Sequence, residues 1–172
     1  ISADVLVIGP RDWVEAQPAV PGLARWVADR QAQGLRVKLV ATEDVMDDIG
    51  TGTFTPFAVG RLLSIALATW TDAPRHVLLL GDTTLDYADR TGGLMLDASL
   101  CTPMADSCGF DETAWCQHVP TRMFDVPTDD LFLGYYASDS VASLAAGSDW
   151  YPDVGLGRIP ARDATELSDL LD

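Results

Sequence analysis

With 172 residues, the chain is long enough for one domain with a sizeable core and too short for two comfortable ones. Hydrophobic residues make up 48%, which excludes a disordered chain, and 11 basic against 26 acidic residues (formal charge −15) argue against nucleic acid, whose phosphates would be repelled. No run of about 18 apolar residues is present, so no membrane span is expected, and no basic-plus-apolar signal segment opens the chain; Ile1 reads as a processing boundary.

In chain order, residues 4–8 form a first predicted strand, closed by Gly9-Pro10. Pro21 suits the first position of a helix, where its missing N–H costs nothing, and Leu23, Trp26, Val27 and Gln31 share a face before Gly34 stops it. Residues 36–41 are the second strand. Thr42 is the expected N-cap of a short helix reaching Ile49. After a loop over residues 50–55, Thr55-Pro56 opens the best helix, on which Val59, Leu62, Leu63, Ala66, Leu67 and Trp70 recur at helical spacing. Asp72-Ala73-Pro74 closes it, and residues 77–80 make the third strand. Strands alternating with helices predict right-handed crossovers and a parallel sheet covered on both sides.

Residues 81–150 hold no long periodic segment, although residues 94–96 and 131–136 suit short strands or turns. Residues 154–159 return as a fourth strand. Asp163-Ala164-Thr165-Glu166 then has the form of a capping box, with Asp163 accepting from the Glu166 N–H. Leu167, Leu170 and Leu171 begin an apolar helical face that stops at Asp172, which reads as a truncation or cleavage point. An apolar patch is therefore expected around the fourth strand and Leu167–Leu171.

Four motifs carry a resemblance. They are Gly34-Leu35-Arg36-Val37-Lys38-Leu39-Val40, Thr42-Glu43-Asp44-Val45, Arg75-His76-Val77-Leu78-Leu79-Leu80-Gly81-Asp82, and Pro152-Asp153-Val154-Gly155-Leu156-Gly157-Arg158-Ile159-Pro160-Ala161-Arg162. In this order, from about Ala3 to the last residue, the chain resembles the gingipain-type cysteine peptidases, a caspase-like family. The resemblance implies an α/β, three-layer fold with a mainly parallel four-stranded sheet of order 2-1-3-4 and flanking helices. It implies one subdomain over residues 1–172, with a variable loop region at about 81–150. In that family the catalytic His and Cys lie beyond the Gly-Arg-Ile-Pro-Ala-Arg segment, so no catalytic residue is carried over onto this chain. The implied protein is a secreted bacterial endopeptidase, extracellular or at the cell surface, that acts on a peptide or protein. This half would buttress a downstream catalytic half, its expected partner. The alternative is a non-catalytic binding or assembly module that keeps the fold and is stabilised by calcium.

Cys101, Cys108 and Cys116, spaced by seven and eight, suit one small disulfide-closed loop with one free thiol. Zinc is disfavoured, since His118 is the one nearby fourth ligand and no Cys-x-x-Cys pair exists. A Cys116–His118 dyad on one short loop would lack a rigid frame, and His76 reads as a partly buried strand-edge side chain.

Asp82, Asp86 and Asp89 leave the carboxyl end of the third strand, where ligands gather in open α/β sheets. Their spacing suits calcium, the one metal expected; the other reading is turn-forming aspartates in solvent. Asp129, Asp130, Asp139, Asp149 and Asp153 add carboxylates, but the dense acidic run of relatives is eroded here to Ser138-Asp139-Ser140-Val141 and Gly147-Ser148-Asp149-Trp150. Asp82 also suits a structural role, accepting backbone N–H bonds. Arg158 is expected to pair with a carboxylate or hold backbone carbonyls. Tyr135-Tyr136 and Trp150-Tyr151 read as local packing. Gly9-Pro10-Arg11-Asp12 is no phosphate cradle, and Gly50-Thr51-Gly52 follows no strong strand.

Overall fold

The apolar run Val-Leu-Val-Ile-Gly of β1 (Val5–Gly9) is buried at all five positions, as a central parallel strand covered on both faces must be. The computed structural model describes residues 1–17, 19–82 and 153–172. β1 pairs in parallel with β2 (Val37–Ala41) on one side and β3 (His76–Leu80) on the other, and β3 pairs in parallel with β4 (Gly155–Ile159). The order is β2-β1-β3-β4. The expected α/β class and strand order are those observed.

Because successive side chains of a strand point to opposite faces, the register divides the core in two. Leu6 and Ile8, beside Val77 and Leu79, face α3 (Thr42–Asp48) and α4 (Pro56–Thr69). Val5, Val7 and Leu80 face α1 (Arg11–Val14), α2 (Pro21–Ala32) and α5 (Ala164–Leu171). The result is three layers.

Local chemistry sets the helix ends. Gly34, at φ +86°, adopts a conformation other residues resist, and Gly34 N–H donates to the Gln31 carbonyl while Leu35 N–H donates to that of Arg30. That pair of bonds is a Schellman stop to α2. Thr55 caps α4, its hydroxyl accepting from Phe57 N–H at 3.4 Å. Asp163 caps α5, accepting from Thr165 N–H at 2.8 Å and Glu166 N–H at 2.9 Å. The return arm of this box lands one residue early: Glu166 accepts from Arg162 N–H, at 2.8 Å, not from Asp163.

Two expectations about the helices fail. Thr42 is not an N-cap: β2 runs into α3 without a turn, so Ala41 takes the cap position and Thr42 becomes the first helical residue. Nor is Leu167–Leu171 an exposed apolar patch. Leu167 is fully buried and Leu171 packs on the same core against α2, leaving Leu170, 55% exposed, as the outward member.

Candidate functional site

In a sheet of this order the chain leaves β1 to one side for β2 and returns to the other for β3, so the carboxyl ends of β1 and β3 border the crevice where α/β folds hold ligands. Gly9 lets those ends close up, since a Cβ there would sit 2.9 Å from Leu80 Cβ. The turn after β1 is already filled by the protein's own acid. Glu43 accepts from Arg11 N–H at 3.2 and 2.9 Å through its two carboxylate oxygens. The Arg11 guanidinium reaches Asp44 at 2.6 Å and Glu15 at 3.2 Å. A carboxylate of the protein thus accepts from the N–H that opens the turn. Glu43 and Asp44 belong to the Thr42-Glu43-Asp44-Val45 motif of the resemblance, but the sequence reading gives them no site role; their signal is their place in the first turn of α3, immediately after β2.

The exits of β3 and β4 are tied to each other. Gly81 N–H donates to the Ile159 carbonyl at 2.8 Å and Asp82 N–H to that of Ala161 at 3.0 Å. Arg158 Nη1 donates to the Gly81 carbonyl at 2.9 Å, so Arg158 holds a backbone carbonyl, one of its two expected roles. Gly81 turns the chain at φ +103°, a conformation that favours glycine. Thr42 lies at the neighbouring edge, 2% exposed, and its hydroxyl has no hydrogen-bond partner among the described residues.

Of the three residues expected to hold calcium, Asp82 is placed at this edge by its backbone, while Asp86 and Asp89 lie outside the described residues. Among the described residues no group of three or more His, Cys, Asp or Glu could hold a metal ion. Asp129, Asp130, Asp139 and Asp149 also lie outside them, as do Cys101, Cys108, Cys116, His118, Tyr135, Tyr136, Trp150, Tyr151 and the stretches 94–96 and 131–136. His76, the histidine that is described, sits at the amino end of β3 and is exposed, not partly buried: the β4 position beside it is Gly155, which offers no side chain to cover it. It is therefore at the opposite end of the sheet from the crevice.

The model of peptidase family C25 matches residues 1–172. The chain belongs to peptidase family C25. Its fold is thus that of a domain related to cysteine peptidases, in agreement with the gingipain-type resemblance of its motifs. The crystal structure of dimeric latent PorU from Porphyromonas gingivalis shares the C25 chain's fold, with a TM-score of 0.63 and 17% identity over 99% of this chain. The match covers 15% of that protein, so the C25 chain spans a small part of its length. No curated protein matches the C25 chain in sequence. Among the described residues, no helix is long and apolar enough to cross a membrane.

Proposed function

We propose that residues 1–172 form the amino-terminal subdomain of a secreted, gingipain-like cysteine endopeptidase, and that this subdomain buttresses a catalytic half supplied by the same protein. The observation that carries the reading is the C25 match over residues 1–172. At the carboxyl ends of β1 and β3 the described residues form an arginine–carboxylate network and backbone ties, a structural role that suits a buttress.

In the proposed reaction a cysteine thiolate attacks the scissile carbonyl. Its imidazole partner protonates the leaving amine, and water then releases the acid from the acyl-enzyme. The thiol and imidazole lie outside residues 1–172 in this reading, as the resemblance implies. The substrate is a peptide or protein, and the compartment is extracellular or the cell surface.

The test uses the longest natural protein that contains these residues. We expect it to hydrolyse peptides and to lose activity on alkylation with iodoacetamide, the modified cysteine mapping outside residues 1–172. A folded, freely alkylated protein without hydrolysis would favour the non-catalytic binding module instead.

A further inference from the structure

The amino-terminal halves of β3 and β4 carry an open recess of about 530 Å³, within the size range of small-ligand sites. Glycine makes it. The β4 positions that share a face with Ile159, toward α2, are Gly155 and Gly157, so Leu78 beside them is left half-buried. Neither glycine has a positive φ, and a Cβ at Gly157 would meet nothing nearer than Leu78 Cδ1 at 4.0 Å. Backbone and packing therefore do not demand glycine at 157. A glycine inside a strand weakens it and commonly marks the close approach of a ligand or another main chain.

One wall of the recess belongs to Trp26 and Arg30, one helical turn apart on α2. The Arg30 guanidinium lies 5.3 Å from the Trp26 ring centroid and donates to Gln33 Oε1 at 3.0 Å, so it is held before any ligand arrives. No carboxylate among the described residues pairs with it. Among the described residues no acidic side chain lines the recess, and the second ionisable group there is His76. An ordered arginine beside an apolar trough, with no carboxylate partner among the described residues, matches an anion attached to an apolar group, and a planar carboxylate is the anion its fork of donors fits best.

We propose that this recess binds the carboxyl-terminal residue of a peptide with an apolar side chain. The side chain lies on Leu78 over the bare backbone of Gly157, flanked by the His76 ring, whose Nδ1 stands 2.9 Å from where a Gly155 Cβ would be, and the terminal carboxylate accepts from Arg30. The bare strand is what admits the peptide's main chain. The site is independent of the peptidase reading.

The test is titration of the isotope-labelled 172-residue chain with N-acetyl-alanyl-phenylalanine, followed through the amide signals of Gly155 and Gly157 and the indole of Trp26. We expect those signals to move, the corresponding terminal amide to bind about tenfold more weakly or worse, and hexanoate to bind more weakly than the peptide. Arg30→Gln should weaken the peptide by about tenfold, with Arg30→Lys restoring part of the loss. Gly157→Val should fill the recess and remove binding, and Arg30→Gln remains decisive if that variant does not fold. No movement at about 10 mM peptide, equal binding of acid and amide, or binding unchanged in Arg30→Gln would overturn the site. Hexanoate binding as tightly as the peptide would overturn the peptide assignment.

Discussion

Gly22 and Ser168, on α2 and α5, are in backbone contact: a Cβ on Gly22 would lie 2.3 Å from the Ser168 carbonyl oxygen and 2.6 Å from its Cα. Gly22 N–H, near the start of α2, donates to Ser168 Oγ at 2.8 Å. The last helix is thereby pinned to a helix that begins nearly 150 residues earlier in the chain, and Arg25 adds an ion pair to Asp172. Because the clashing atoms are backbone, no side-chain rotation relieves them. Gly22→Ala should cost about 2–3 kcal/mol through overpacking, whereas Ser168→Ala should cost about 1 kcal/mol through the lost acceptor. Urea midpoints of the two variants check the ranking.

Acid should loosen the amino-terminal edge of the sheet first. The side-chain hydrogen bond from Arg36, followed by its backbone N–H, holds the Asp4 carboxyl far below the ordinary carboxylate range. The same guanidinium, followed by Ser2, lowers Asp72. A carboxyl depressed in the folded state contributes its full stability above its unfolded value, and that contribution is lost as pH falls toward the folded value. The urea midpoint should therefore hold steady down to about pH 5 and fall below about pH 4. Arg36→Gln should lower the midpoint at neutral pH and flatten the descent in acid. A descent as steep as in the parent would show that other carboxyls govern it.

Thr42→Val should not destabilise the protein. Its hydroxyl is buried without a partner among the described residues, so removing it at constant shape takes away a desolvation cost and no bond. We expect a gain of roughly 0–1 kcal/mol. A loss above about 1 kcal/mol would mean that the hydroxyl has a partner in the folded protein.

The cap of α5 gives a fourth measurement. Asp163 satisfies two otherwise orphaned N–H groups, so Asp163→Ala should cost about 1 kcal/mol, and Asp163→Asn or Asp163→Ser much less.

Much of this fold was legible because its signals are local. Val5–Gly9 and His76–Leu80 are apolar runs stopped by Gly, and Thr55, Asp163 and Gly34 announce their helix ends by side-chain or backbone chemistry that depends on immediate neighbours. Thr42 misled for the same reason: a residue that caps well in isolation is displaced when a strand feeds its helix without a turn. Leu167 and Leu171 were misread as exposed because nothing local in the sequence shows that Gly22 opens a seat for α5. The crevice was legible as a place and not as a set of partners. Glu43 reaches Arg11 N–H across 32 positions, a pairing that only the parallel alignment of β1 with β2 creates. The glycine-floored recess was also hidden, since Gly155 and Gly157 read as strand residues until α2 lay beside them.

Hydrolysis by the 172-residue chain itself tests the central claim most directly. With its folding confirmed by a cooperative melt, the chain is incubated with a broad mixture of fluorogenic peptides, alongside Cys116→Ala and His118→Ala. We expect no turnover by any of the three, because the thiol and imidazole of the proposed reaction belong to another part of the protein. Turnover by the parent chain that disappears in Cys116→Ala would contradict this and place the nucleophile within residues 1–172.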